Sequence, residues 1–251
     1  MTAIAIIGGT GLTRLEGLEI SRREVCYTPY GEPSGPLLHG KLSGREAVFL
    51  ARHGPSHRIP PQRVNYRANL WALKSIGVQA IVAVSTVGGI RADMAPGRIV
   101  IPDQIVDYTS GRDNTFFNDQ SVVHVEFTEP YDAGLRARLL AAGREAVVEL
   151  LDGGVYAAMQ GPRLETAAEI NRLETDGCDM VGMTGMPEAV LARELELPYA
   201  VCAVVLNRAA GRGGGDIHTE ITQSLARGIE QVRDLLRALL PILAENQDGP
   251  E

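Results

Sequence analysis

A single-domain α/β fold is the class this sequence predicts, and three observations predict it. Apolar runs of strand length, at residues 3–7, 80–84, 155–159 and 199–206, each end on glycine, hydroxyl or amide residues. Longer stretches with helical spacing lie between them, the alternation that builds strand and helix layers. The 251 residues contain no internal repeat, low-complexity linker or composition break.

The elements follow in order. Residues 3–7 read as a first buried strand feeding Gly8-Gly9-Thr10-Gly11, where glycines let backbone N–H groups approach an anion and Thr10 adds a hydroxyl. As a dinucleotide fingerprint the loop fails, because Arg14 stands where the third glycine belongs. Residues 26–50 alternate turn clusters with short apolar runs and predict antiparallel hairpins, the best strand being 47–51. It runs into Arg52-His53-Gly54, either a solvated basic turn or a cationic oxyanion site. Residues 64–76 put Tyr66, Leu70, Leu73 and Ile76 on one helical face, and Gly77 stops the helix. Residues 80–84 predict a strand that ends in a second hydroxyl-and-glycine turn, Ser85-Thr86-Val87-Gly88-Gly89.

Further along, residues 94–97 mark a turn and 99–105 a returning strand, and 107–131, with Asn114, Asn118, Asp119 and His124, a long loop without sustained period. Residues 135–151 predict an amphipathic helix closed by Asp152-Gly153-Gly154. After the strand at 155–159, a helix is expected to start near Glu165, whose carboxylate could simply complement the helix dipole. Residues 180–183, a turn at Thr184-Gly185, a helix opened by Pro187 and the strand 199–206 form an expected βαβ unit, with Thr184 and Asn207 side by side at strand ends. A glycine loop at 208–216 reads as a candidate lid, and 219–243 as a final helix. The domain is expected to span 1–245, leaving 246–251 as a flexible tail.

Composition removes several function classes. A net charge of −7 with no strongly basic window argues against nucleic acid as a main partner. Three dispersed cysteines, Cys26, Cys178 and Cys202, without a CxxC pair suggest a reducing cytoplasm and no structural zinc. The opening apolar run lacks a basic lead and is far too short for a signal peptide or a membrane span, so no export is expected.

Five ordered motifs carry a family resemblance: IIGGTGL at 6–12, ARHG at 51–54, VNYRANLWALK at 64–74, GPR at 161–163 and MTGMPEAVLARE at 183–194. Together they resemble the methylthioadenosine phosphorylase branch of the trimeric purine nucleoside phosphorylases, over roughly residues 4–240. The resemblance implies one α/β domain around a mixed, partly barrel-like sheet flanked by helices. It also implies a homotrimer, possibly a dimer of trimers, and cleavage of a purine nucleoside by inorganic phosphate without metal or organic cofactor. Carried over by motif, Thr10, Arg52, His53, Ser85, Thr86 and Thr184 would hold phosphate. Met183 would lie under the ribose, and His124 would reach the 5′ side of a neighbouring subunit's pocket.

The sequence departs from the adenosine-type pattern at the base. Asn207 and Ala209 replace two aspartates, and Glu165 stands where a serine is usual. A carboxamide can donate to O6 and accept from a protonated N7, and a carboxylate can accept from N1–H, which hypoxanthine has and adenine lacks. The expectation is therefore a 6-oxopurine nucleoside, first S-methyl-5′-thioinosine, then inosine or guanosine, then methylthioadenosine. Asn207, Glu165 and His53 are the expected catalytic set, with Arg208 beside the base. His218 falls near where oxopurine enzymes bind a 5′-hydroxyl, whereas Ile221 and Thr222 could equally line an apolar 5′ pocket. A nucleoside-binding sensor without turnover is the expectation from a different class.

Overall fold

The computed structural model describes residues 4–117 and 122–245, so the expected tail at 246–251 and the loop residues Asn118 and Asp119 lie outside the described residues. The chain runs β1 (Ile4–Gly8), β2 (Glu19–Glu24), β3 (Leu37–Leu42), β4 (Arg45–Ala51), α1 (Tyr66–Ser75) and β5 (Ala80–Gly89). It continues through β6 (Ile99–Ile101), β7 (Gln104–Asp107), α2 (Ala133–Glu145), β8 (Leu150–Asp152), β9 (Val155–Ala158) and α3 (Ala167–Thr175). It ends with β10 (Met180–Gly182), α4 (Gly185–Glu194), β11 (Tyr199–Arg208) and α5 (Ile217–Glu245).

Strand β5 organises the sheet. Its first half pairs with β1, which is parallel to both β5 and β4, and the β3–β4 hairpin and β2 extend the sheet outward from there. The Ser43-Gly44 turn of that hairpin has positive φ at both residues, 51° and 76°, as a two-residue hairpin turn requires. The later part of β5 pairs with antiparallel β10, while β11 runs parallel along its other side. Residues 99–107 and 150–158 lie parallel as two kinked strands, β6 on β8 and β7 on β9. Because β11 pairs with β6 and β9 with β10, the hydrogen bonding travels from β5 around this group and returns to β5. This closure is the barrel-like portion of the mixed sheet.

Alternation along the strands divides the core between two faces. Ala5, Ile7, Leu50, Ala83 and Val201 pack toward α1 and α4, through Leu70, Leu73 and Leu191. Ile6, Phe49, Val82, Val84 and Val204 pack toward α2 and α5, through Leu139, Val232 and Leu236. Each of the Val, Leu, Ile and Phe side chains among these contributes about 1.5–3 kcal/mol when fully removed from water. Helix α1 starts where the Asn65 side chain accepts from the Ala68 N–H, and Gly77 follows it with φ of 77°.

Four expectations need correction. The segment 85–89 is not a turn: it continues β5, because pairing with β11 along its whole length, joined by β10 at Gly88 and Gly89, holds Ser-Thr-Val-Gly-Gly extended. The helix expected over 135–151 stops at Glu145, and 150–152 pairs instead as β8. The strand expected over 99–105 bends at Pro102-Asp103 into β6 and β7. The expected βαβ unit is not one, since β10 and β11 flank β5 in opposite directions, with Val181 and Asn207 both opposite Gly88. Strand β2 went unread because its sequence, EISRRE, is an exposed edge without apolar alternation.

Candidate active site

At the ends of β1, β4, β5, β10 and β11 lies a cleft of about 440 Å³, within the ordinary range for a small-molecule site. Of the residues picked out by sequence, it is lined by Thr10, Arg52, His53, Thr86, Glu165, Met183, Thr184, Asn207 and Ala209.

One end is rich in donors. Gly9 and Thr10 follow β1, Thr86 faces in from β5, and Thr184 precedes α4. The Thr184 hydroxyl makes no capping bond to its helix and lies 3.3 Å from the Ser85 hydroxyl. Ser85 itself is buried and does not line the cleft. Consecutive strand residues face opposite sides, so Thr86 takes the cleft and Ser85 backs Thr184, which corrects the pairing of the two hydroxyls expected from a turn. The Thr184 N–H donates to the Tyr156 hydroxyl at 3.4 Å.

Arg52 is completely buried beside this end, and its charge is matched inside the protein. Its Nε and Nη2 donate to the two carboxylate oxygens of Glu188, each at 2.7 Å, and Nη1 donates to the Val84 carbonyl at 2.9 Å. Burial works against the guanidinium charge, but the Glu188 carboxylate outweighs it and holds the Arg52 pKa above its ordinary value. Glu188, which the sequence did not mark as a site residue, is fully buried and also accepts from the Tyr199 hydroxyl at 2.9 Å. The available signal was its setting among apolar residues in MPEAVLA.

His53 is held by its own loop. Its Nδ1 lies 2.8 Å from the Ile59 carbonyl while the Ile59 N–H donates back to the His53 carbonyl. A carbonyl can only accept, so Nδ1 carries the hydrogen and Nε2 is left as the acceptor of a ring that lines the cleft. Burial, with Arg52 adjacent, lowers the His53 pKa to about 4. The ring is therefore neutral near pH 7, able to accept a phosphate hydroxyl but not to add a positive charge.

The opposite end carries Asn207 and Glu165. Between Val205 and Asn207 the register of β11 against β5 slips by one residue, a bulge that turns both Leu206 and Asn207 toward the cleft. The Asn207 Nδ2 donates to the Arg208 carbonyl at 2.7 Å, leaving its second hydrogen and its oxygen for a ligand. Glu165 lies one residue before the Thr166 cap of α3, outside the first helical turn. The dipole partner in that turn is Glu169, which completes a capping box with Thr166. Burial raises the Glu165 carboxyl above the usual glutamate range, and Glu169 adds to the rise. Met183 fills the floor: a side chain on Gly161, which has φ of 61°, would start 2.5 Å from the Met183 sulfur.

Besides Ser85, the sequence-picked residues Arg208, His218 and His124 stand elsewhere. Arg208 turns away, its Nη1 donating to the Ala92 carbonyl at 2.8 Å, so only its neighbours contact the cleft. His218 is exposed on the first turn of α5, and Ile217 and Ile221 occupy the cleft-facing positions instead. His124 is exposed in the loop and does not line this chain's cleft. The glycine loop expected as a lid is anchored by Arg212, whose guanidinium donates to Asn171 at 2.9 Å and Glu174 at 2.6 Å.

Arg112 had no signal in the sequence. It ties the long loop beneath the cleft by donating to the carbonyls of Met183, Met186 and Gln160. Among the described residues no group of three or more His, Cys, Asp or Glu side chains is arranged to hold a metal, and no helix is long and apolar enough to cross a membrane.

A family model described as the phosphorylase superfamily matches residues 3–241. A probable S-methyl-5′-thioinosine phosphorylase from Pseudomonas syringae pv. tomato is 56% identical over 243 residues, covering 96% of this chain and 99% of its own. A 6-oxopurine nucleoside phosphorylase from Pyrococcus furiosus is 42% identical, covering 98% and 95%. Among solved structures, methylthioadenosine phosphorylase from Schistosoma mansoni in complex with adenine superposes with a TM-score of 0.92 at 30% identity, covering 98% of this chain and 93% of that one.

Proposed function

The chain belongs to the phosphorylase superfamily, and from that premise we propose that it cleaves a 6-oxopurine nucleoside with inorganic phosphate, its preferred substrate being S-methyl-5′-thioinosine. The products are hypoxanthine and 5-methylthioribose 1-phosphate. The observation that carries this reading is the pairing of Asn207 and Glu165 in the cleft that also holds the donor-rich end. Relatives named as methylthioinosine and 6-oxopurine nucleoside phosphorylases support it.

Phosphate sits among Gly9, Thr10, Arg52, Thr86 and Thr184, with the His53 Nε2 available to accept its hydroxyl hydrogen. A phosphate oxygen forms the new bond to C1′ as the C1′–N9 bond breaks, and that electron pair goes to the purine. Positive charge grows on the sugar above Met183 and negative charge on the base. As the base leaves, its N7 takes one proton from water, which balances the charge gained from the C1′–N9 bond; Asn207 donates to O6 and accepts from that N7–H, and the Glu165 carboxylate accepts from N1–H. An adenine offers no N1–H and brings an amino donor to the carboxamide N–H. Sites built on such bonds reject the mismatched partner by about four orders of magnitude.

The 5′ substituent is read from the wall nearest α5. Ile217 and Ile221 line the cleft while His218 is exposed, which favours a methylthio group over a hydroxyl. The protein works as a homotrimer in the cytoplasm, without metal or organic cofactor, and His124 closes the 5′ side of a neighbouring protomer's cleft. Phosphate-dependent release of base from methylthioinosine, inosine, guanosine and methylthioadenosine tests the assignment. Methylthioinosine is expected to have the highest kcat/KM, and a clear preference for methylthioadenosine would overturn the roles given to Asn207 and Glu165. That alternative draws its support from the methylthioadenosine phosphorylase structures this fold superposes on.

A further inference from the structure

We infer that Glu188 is a positioning residue for the phosphate site, a buried carboxylate that fixes the plane of the Arg52 guanidinium and cancels its charge, with Tyr199 fixing the carboxylate in turn. The inference rests on the phosphorylase reading and concerns how that site holds its nucleophile.

The geometry is specific. Arg52 and Glu188 are both fully buried and meet through two parallel contacts of 2.7 Å, the arrangement in which a guanidinium and a carboxylate fix each other's plane. The Val84 carbonyl takes a third N–H at 2.9 Å. A guanidinium has five N–H groups, so two remain, one on each terminal nitrogen. Since Arg52 lines the cleft, these two are the ones free for an anion. Gly9 passes the guanidinium so closely that a Cβ there would lie 3.1 Å from Nη1 and 2.7 Å from the Val84 carbonyl oxygen. The glycine loop thus passes close to Nη1, the one guanidinium nitrogen that Glu188 does not engage.

Charge gives the arrangement its chemical sense. Phosphate must attack a sugar that is becoming cationic, so its negative charge is useful only if the site does not neutralise it. A bare Arg52 would neutralise part of that charge and repel the sugar. Paired with Glu188, it offers directional N–H donors without a net positive charge, and the neutral His53 adds none. Thr184 and Glu188 lie four residues apart around the start of α4, so one short segment delivers both a hydroxyl donor and the counter-ion. Removing one partner of a buried ion pair leaves the other uncompensated, and an incoming anion would then serve as the missing partner.

The test uses Tyr199→Phe, Glu188→Asp and Glu188→Gln in the full-length chain. Phosphate and nucleoside are varied independently, and the rise in Tm caused by inorganic phosphate alone is recorded. Tyr199→Phe keeps the ring and removes one hydrogen bond to a charged group, and is expected to raise the phosphate KM about tenfold with nucleoside KM within about twofold. Glu188→Asp, which keeps the charge on a shorter arm, shifts the same constant in the same direction. Glu188→Gln is expected to lower kcat about a hundredfold at saturating phosphate, while phosphate raises its Tm more than it raises that of the wild type. If these variants lose Tm but keep the wild-type phosphate KM and phosphate-induced Tm rise, the pair is only a strut of the fold and the inference fails. Should Glu188→Gln not fold, Tyr199→Phe decides the matter alone. A wild-type enzyme whose Tm rises with phosphate but that cleaves no nucleoside overturns the phosphorylase reading instead.

Discussion

Asn207 reaches the cleft because β11 gains a residue against β5 just before it, and its selectivity follows from carrying an amide there instead of an acid. Asn207→Asp is expected to raise the ratio of kcat/KM for methylthioadenosine over methylthioinosine by at least about tenfold, and further when Glu165→Ser is added. Unchanged ratios in both variants would remove these residues from base recognition. His53 supports a second prediction. Its folded pKa of about 4 lies below the ordinary 6.5, so on acidification the unfolded chain takes up this proton first. The associated stability is present above pH 6.5 and is lost as the pH falls toward 4, on the order of 3 kcal/mol in all. Urea unfolding at pH 7 and at about 4.5, without phosphate, should show a smaller acid loss in His53→Gln than in the wild type. Side-chain identity beside a turn or strand end pointed to Thr10, His53, Thr184 and Asn207, all of which line the cleft, whereas Glu165, which also lines it, was marked only by the family resemblance. Direction was not legible. Ser85 and Arg208 neighbour residues that line the cleft, yet strand alternation and outward hydrogen bonds turn them away.

At the scale of elements, α3 shows how a local rule serves the site. Its Thr166–Glu169 capping box fixes the chain direction one residue after Glu165. Thr166→Ala should lower stability by about 1 kcal/mol and raise the nucleoside KM, with little change in the phosphate KM, because only the base end adjoins this helix. Gly161 supplies a contrasting case. An alanine there meets the Met183 sulfur at 2.5 Å and must adopt a positive φ of 61°. Gly161→Ala should therefore reduce kcat by more than its loss of Tm explains, which parallel kinetics and thermal unfolding would reveal. Most elements could be read from apolar periodicity and glycine stops, as for α1 and β11. The exceptions share a cause: long-range pairing overrides local preference. Ser85 to Gly89 has turn composition but is held extended by β11, with β10 closing on its last two residues, and 150–152 looks like the tail of a helix until β6 claims it.

For the molecule as a whole, the two-faced α/β arrangement was legible, whereas the return of the ladder to β5 depends on pairings that no local pattern encodes. Tyr27, Val122 and Val147 are exposed apolar side chains, single positions of a kind ordinary on any protein surface. The proposed trimer predicts a single species of three chains by sedimentation, and a specific activity that falls on dilution below its dissociation constant. His124→Ala should raise the nucleoside KM without altering the sedimentation pattern. Strand β5 also bears on which length changes the chain can tolerate. One additional residue inserted ahead of Thr86 would rotate the threonine to the hidden face and put Gly88 out of step with Val181 and Asn207 together, so anion and nucleobase would lose their seats in one event. The same insertion beside Gly214, where a side chain would meet nothing within 4 Å, would pass almost unnoticed. Variation in chain length is thus confined to the rim and barred from the central strand.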